Sequence, residues 1–325
     1  MAARNQAAAA DDIVEDFSPF FWVYKDGRVG ILRPDESVPP STDPRTGVCS
    51  KDVLVLPKSD VSARLYLPNL LTSAHQRLPL LITFHGRGFC LGSRISLVPS
   101  AEFHQHRLPH FSPSKVIRRA LNALVAEAGI VALSVGYLIQ WAVSHSRGGG
   151  PEAWLMDHVD FGRVFLSGDS AGANIAYNMA MRAGKLRLAH DVRLRGLILN
   201  HPYLWGSDVT NSEAKNPELK SVIDRIWLFG NPNATGLDDP MINPVAAGGP
   251  SLSRIGCEKV LVCVAEMDIL GDRGWIYYEA LLKSGWGGKV EFFESEGEEH
   301  CFYVGNIESE NSKILLKKLA SFMGC

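Results

Sequence analysis

Arg163-Val164-Phe165-Leu166-Ser167-Gly168-Asp169-Ser170-Ala171-Gly172-Ala173-Asn174-Ile175-Ala176 is the stretch on which the reading of this chain turns. Val164, Phe165 and Leu166 form a short apolar run of strand formers, and Ala171 to Arg182 holds helix formers without a proline, so the period changes at Ser170. Gly168-Asp169-Ser170-Ala171-Gly172 fits G-x-S-x-G, the nucleophile elbow, in which small residues on both sides of the serine let a tight turn lift its hydroxyl out of a sheet. The helix that follows aims its first N–H groups at negative charge developing beside Ser170. Taken alone, the pattern also fits an ordinary serine in a glycine-containing turn. An oxyanion loop, an acid and a histidine at the right places in the chain decide between the two.

Working outward, composition narrows the options. A chain of 325 residues with 46% hydrophobic content can bury a large core, and a single α/β domain over 1–325 is expected. Its 33 basic and 35 acidic residues give a formal charge of −2, which leaves no electrostatic footprint for nucleic acid or anionic lipid and favours a small neutral partner. Residues 1–12 are Ala-rich and end on Asp11 and Asp12, which reads as a disordered leader rather than a secretory signal. No window approaches a membrane span. The six cysteines lack C-x-x-C spacing, as free thiols of a reducing compartment do. The expectation is a cytoplasmic protein, monomeric or weakly dimeric, with neither metal nor organic cofactor.

Ile13, Val14, Phe17, Phe20, Phe21 and Trp22 make an apolar arm that must pack on something. Asp52 to Leu56 and Ser62 to Pro68 read as two opening strands joined by a turn at Lys58 to Asp60. Leu78 to Phe84 is a continuous apolar run, as a strand buried on both faces requires. It leads into His85-Gly86-Arg87-Gly88-Phe89, a glycine-rich loop able to turn its backbone N–H groups inward, or merely to turn. Arg147 to Pro151 is a break, and Trp141 to Ser146 before it reads as a helix remnant. Leu194 to His201 reads as the next buried strand, and Asn211 to Phe229 carries helical spacing.

Lys259 to Glu266 is an apolar strand followed by three candidate acids, Glu266, Asp268 and Asp272; the lesser reading of the middle one is that it only caps the helix beginning near Asp272. Val290 to Phe293 reads as the last strand. His300 follows it, completing the chain order serine, acid, histidine. Ile307 to Met323 closes the chain as an amphipathic helix.

With these motifs in hand, the chain resembles the plant carboxylesterases of the hormone-sensitive-lipase-like branch of the α/β hydrolases, relatives of the gibberellin receptors. The likeness rests on Asp16-Phe17-Ser18-Pro19-Phe20, Val23-Tyr24-Lys25-Asp26-Gly27-Arg28, Pro39-Pro40-Ser41-Thr42-Asp43-Pro44, Ser62-Ala63-Arg64-Leu65-Tyr66, Asp160 to Ala183 and Met267-Asp268 to Phe302. Leu121 to Val135 resembles the family's next helix and strand. The resemblance implies an α/β-hydrolase fold: a mostly parallel sheet flanked by helices, with a small helical cap from the N-terminal arm and residues 211–230. It favours Asp268 among the acids, and implies a serine carboxylesterase for small neutral esters in which Ser170, Asp268 and His300 act together. The N–H groups of Arg87, Gly88 and Ala171 would form the oxyanion hole.

Two departures stand out. The family carries H-G-G-G where this chain has His85-Gly86-Arg87-Gly88, which places a side chain where glycine leaves space. Residues 94–119 form an atypical insertion, and after Val135 the chain reads Gly136-Tyr137-Leu138 where the family has D-Y-R-L-A-P-E-H and a further helix. Arg87 and the altered 94–150 region both bear on activity. The competing expectations are therefore a non-catalytic, receptor-like ligand binder, against which His300 argues, and an inactive variant lacking part of the core after Val135.

Overall fold

A computed structural model describes residues 12–32, 39–44, 46–56, 61–68, 77–86, 88–89, 95–99, 128–186 and 188–325. Residues 1–11 of the expected 1–12 leader, the turn around Lys58 to Asp60, Arg87, all of the 94–119 insertion except residues 95–99, and residues 121–127 of the helix implied for Leu121 to Val135 lie outside them.

The frame of the molecule is an eight-stranded sheet of order β11-β10-β9-β8-β6-β7-β5-β4. Its strands are β4 (Cys49–Leu56), β5 (Val61–Leu67), β6 (Leu78–Phe84), β7 (Ile95–Pro99), β8 (Val159–Asp169), β9 (Leu194–Asn200), β10 (Lys259–Ala265) and β11 (Lys289–Ser295). β6, β8, β9, β10 and β11 pair in parallel, and β6 keeps register with β8 from Leu80 opposite Val164 to Phe84 opposite Gly168. Every residue of β6 is buried, and so are Val260 to Ala265 of β10, because helices cover both faces of a parallel sheet. All five C-terminal ends lie at one edge, where open α/β sheets collect their chemistry.

The helices are α1 (Ala128–Ser144), α2 (Ala153–His158), α3 (Ala171–Lys185), α4 (Asn211–Ala214), α5 (Pro217–Gly230), α6 (Gly271–Lys283), α7 (Phe302–Gly305) and α8 (Glu310–Met323). One core cluster joins β6, β8, β9 and β10 to α1, α3 and α6. A second, on the opposite face, packs Leu315, Leu319, Phe322 and Met323 of α8 against Leu81, Phe165, Ile198, Leu261 and Cys263. The N-terminal arm forms a separate antiparallel sheet, β1 (Ile13–Phe17), β2 (Phe21–Tyr24) and β3 (Val29–Ile31). Phe17 and Phe21 of this sheet stack at 4.7 Å and bury themselves against Phe229 of α5. Arm and α5 thus form the small cap that the resemblance implied.

One expectation fails. Val131 to Val135 does not form the strand that the resemblance implies; it lies within α1. Past Val135 no proline interrupts the chain before Pro151, and Leu138, Ile139, Ala142 and Val143 recur on one buried face at helical spacing. Gly136 alone does not stop it. The seat between β5 and β6 is taken instead by β7, which runs parallel to β5 and antiparallel to β6. The atypical segment therefore supplies a sheet strand, in the direction opposite to its β6 neighbour.

Candidate active site

Ser170 stands between β8 and α3 with φ 56° and ψ −118°, a backbone conformation that L residues rarely hold. Its neighbours enforce it. A Cβ on Gly168 would come within 2.2 Å of the Gly172 backbone, and one on Gly172 within 2.0 Å of the Phe84 carbonyl oxygen, so only glycine lets β6, β8 and α3 converge there. The Ser170 N–H donates to the Asn200 carbonyl at 2.9 Å, and the Ser170 carbonyl accepts from Tyr203 N–H at 2.9 Å, which fastens the turn to the end of β9. Ala171 is the first residue of α3, so its N–H has no acceptor within the helix.

The glycine loop reaches the same point. A Cβ on Gly86 would stand 2.8 Å from the Asp169 carbonyl oxygen and 3.2 Å from Ser170 Cβ, so this loop lies directly against the elbow. The His85 ring is turned onto its own loop, with Nδ1 3.2 Å from the Gly86 carbonyl. Gly88 and Phe89 follow with positive φ. The Phe89 ring packs at 5.2 Å from Tyr203 and 5.5 Å from Trp227 of α5, placing the cap over the loop. Ala171, Tyr203, Trp205, Ile223, Ile226 and Trp227 join it in an apolar, aromatic-rich cluster beside Ser170. Arg87 falls outside the described residues, so of the expected oxyanion donors the structure places Gly88 and Ala171.

Asp268 lies just past β10 and is 2% exposed. One oxygen accepts from Leu270 N–H at 2.9 Å at the start of α6, so part of this carboxylate closes a turn. The other accepts from His300 Nδ1 at 2.7 Å. Burial would raise the Asp268 carboxyl, but the two imidazoles facing it outweigh burial and hold it well below the usual carboxylate range. Burial would likewise lower His300, yet Cys301 and Asp268 beside the ring carry it well above the usual histidine value. The other candidate acids lie elsewhere: Glu266 accepts from Gly297 N–H, and Asp272 accepts from Ser212 N–H at 2.8 Å, tying the cap to this loop. Buried Arg273 adds a second tie through its 2.6 Å bond to buried Glu213 of α4.

His300 Nε2 faces Cys301 Sγ at 3.6 Å, and no hydrogen bond among the described residues joins it to Ser170. The two loops are nevertheless clamped together, because the Tyr303 hydroxyl and Asn200 both donate to the carboxylate of Asp169, the residue before the serine. Burial raises the Asp169 carboxyl, against the effect of those two bonds.

Three residues here carry no sequence motif. His201 follows β9 at the same sheet edge, 1% exposed and with positive φ. Its Nδ1 lies 3.2 Å from the His300-bound oxygen of Asp268 and 3.1 Å from the Cys301 amide nitrogen, so when unprotonated it accepts from Cys301 and when protonated it donates to Asp268. Its Nε2 has no partner among the described residues. A histidine leaving a parallel strand at its C-terminal end was the one signal available for it. Cys301 and Tyr303 could be reached only through their closeness to His300. His201, His300 and Cys301 each bring a ligand-capable atom within 4.8 Å of the others, the sole such grouping of metal-ligand residue types among the described residues.

The fold and this edge of the sheet define an α/β hydrolase, and residues 110–304 match the family model of that description. Over 99% of its length the chain is 38% identical to a 2-hydroxyisoflavanone dehydratase of Glycyrrhiza echinata, covering 100% of that protein. It is 40% identical to a probable mitochondrial carboxylesterase 4 of Arabidopsis thaliana, over 97% of this chain and 84% of the other. In structure it is similar to a carboxyl esterase 2 of the fungus Tuber melanosporum, with a TM-score of 0.64, 15% identity and coverage of 90% and 91%. The chain belongs to the α/β-hydrolase family, in its hormone-sensitive-lipase-like plant carboxylesterase branch.

Proposed function

We propose that this protein is a serine carboxylesterase acting on small neutral carboxylic esters. The observation that carries the reading is the 2.7 Å bond from buried Asp268 to His300, at the sheet edge where the strained Ser170 turn is clamped to the His300 loop through Asp169 and Tyr303.

Ser170 Oγ attacks the acyl carbon as His300 Nε2 takes its proton, and Asp268 holds the imidazole with Nδ1–H inward and stabilises the imidazolium. The carbonyl oxygen, now negative, meets the N–H groups of the glycine loop and of Ala171 at the start of α3. His300 returns the proton to the leaving alkoxide, and water repeats the sequence on the acyl-enzyme to release acid. An apolar, aromatic cluster beside the serine and a formal charge of −2 favour uncharged acyl groups. No step calls for a cofactor.

A dehydratase among the relatives favours a second reading, proton abstraction and loss of water from a bound hydroxy ketone by the same histidine. The separating experiment is p-nitrophenyl acetate turnover by the wild type and by Ser170→Ala. A fall on the order of 10⁶ in kcat, with circular dichroism unchanged, is the expected result. Equal turnover by the two proteins removes Ser170 from the reaction, and absent turnover by a folded wild type rejects the esterase in favour of elimination or of ligand binding alone.

A further inference from the structure

Seen from its Nε2, His300 has a second client. The atom that meets it is Cys301 Sγ at 3.6 Å, while Nδ1 is held by Asp268 at 2.7 Å. Thiol, imidazole and buried carboxylate are in line, the same relay of base and orienting acid that a hydroxyl nucleophile would require. Cys301 sits in the left-handed region at φ 53°, and its N–H is directed at buried His201, so the backbone that points the thiol toward His300 is fixed on its other side. The residue is half-buried. The remaining described cysteines differ. Burial pushes the Cys257 thiol up to about 12 and the Cys263 thiol higher still, Cys49 donates to the Gly47 carbonyl, and Cys325 is exposed at the C-terminus.

We propose that Cys301 is a second nucleophile served by the His300–Asp268 pair, a site at which soft electrophiles of the α,β-unsaturated carbonyl class are captured covalently. The thiol proton passes to His300 Nε2, the sulfur forms a bond to the β-carbon of the electrophile, and the proton returns to the α-carbon. Nothing leaves, and no oxidant or reductant is consumed. A thiolate is intrinsically the stronger nucleophile toward such carbon, and a serine hydroxyl is the weaker. Since one imidazole serves both groups, capture at Cys301 also removes the base that Ser170 uses. That consequence rests on the esterase reading; the capture itself does not.

The test uses the full-length protein and N-ethylmaleimide, with site-resolved peptide mass spectrometry over time. Cys301 is expected to label at least about tenfold faster than the exposed Cys325, and the advantage should vanish in urea. His300→Gln should bring Cys301 to the rate of Cys325. Ester hydrolysis should fall in step with the Cys301 label, and Cys301→Ala should retain most of whatever activity it starts with under the same treatment. Labelling of Cys301 in the folded wild type no faster than Cys325, or a rate that His300→Gln leaves unchanged, overturns the proposal. Labelling is read by mass, so a protein that hydrolyses no ester still answers this question, and loss of the esterase reading is recognised separately.

Discussion

The two sides of the site are held by different physics. On the serine side the geometry is set by backbone against backbone: Gly168, Gly172 and Gly86 bring three segments so close that a Cβ would stand 2.0–2.8 Å from a neighbouring backbone atom, and Ser170 is kept in a strained conformation by two main-chain hydrogen bonds. On the histidine side the position of His300 depends on side chains, through Asp268, Tyr303 and the Cys301 amide resting on His201. Steric confinement makes the first side all-or-none, whereas hydrogen bonds and charges can be lost singly, each at the cost of about one bond. Substitutions on the two sides should therefore fail in different ways.

On the histidine side the largest effect is expected from Asp268→Asn. The amide can still occupy the turn but no longer stabilises the imidazolium or fixes its tautomer, and kcat for ester hydrolysis should drop on the order of 10⁴. The midpoint of urea unfolding should fall only modestly, because Leu270 N–H keeps an oxygen acceptor while the contacts to His300 and His201 lose their charge, about 1.5–3 kcal/mol. A loss of stability that accounts for the loss of activity would place Asp268 among the purely structural residues.

Gly172→Ala should fail in the other way. Its methyl would press on the Phe84 and His85 carbonyl oxygens, and overpacking between main-chain segments that cannot swing aside should destabilise the fold by about 3 kcal/mol or more. Urea unfolding reads this directly. Wild-type stability combined with low activity would show that the elbow relaxes independently of the sheet, against the contrast drawn above.

Tyr303→Phe sharpens the comparison from the histidine side. It removes the hydroxyl's bond to Asp169 and its 3.8 Å contact with Cys301 Sγ, and leaves the ring contacts with His201 and Phe302 in place. About 1 kcal/mol of positioning should be lost, equivalent to roughly tenfold in kcat/KM, with little change in Tm. A kcat/KM indistinguishable from wild type would mean that the clamp between the loops is carried by something other than this bond.

The same contrast governs what could be read from the sequence. The serine side was legible because its determinants are local: three β-formers, a glycine pair two residues to either side of Ser170, and a helix-forming run, with β6 and β10 announced by unbroken apolar stretches. Order along the chain was enough to propose Asp268 and His300. The exchange of strands was not legible, because Val131 to Val135 is as β-prone as any true strand here, and what makes it helical is the uninterrupted continuation to Ser144 and the occupation of its seat by Ile95–Pro99. Neither fact is local. His201 escaped for the same reason, since its importance comes from three residues more than sixty positions away in sequence. The cap fell between these cases. Its helical spacing was visible, but the division at Asn216, whose side chain caps Leu219 N–H, depends on a single polar residue.

The smallest expected effect, and the one that discriminates best, is in the pH profile. In the proposed mechanism hydrolysis requires neutral His300, so kcat/KM should rise with pH through the value at which that imidazole loses its proton. An ordinary histidine would place this acid limb near ~6.5. Burial works to lower that value here, but Cys301 and Asp268 raise it by more, so the limb should lie above the ordinary position. The sign follows from which form the neighbours favour: Asp268 and Cys301 beside the ring favour the imidazolium, so a more alkaline solution is needed to free the base. Cys301→Ala removes one of those neighbours and should shift the limb toward lower pH while the plateau keeps its height, since Ser170, Asp268 and the oxyanion donors are untouched. Asp268→Asn should move it the same way but with a collapsed plateau. A limb that stays in place in Cys301→Ala would mean that the thiol beside Nε2 has no electrical influence on the base, and the histidine side would then rest on Asp268 alone.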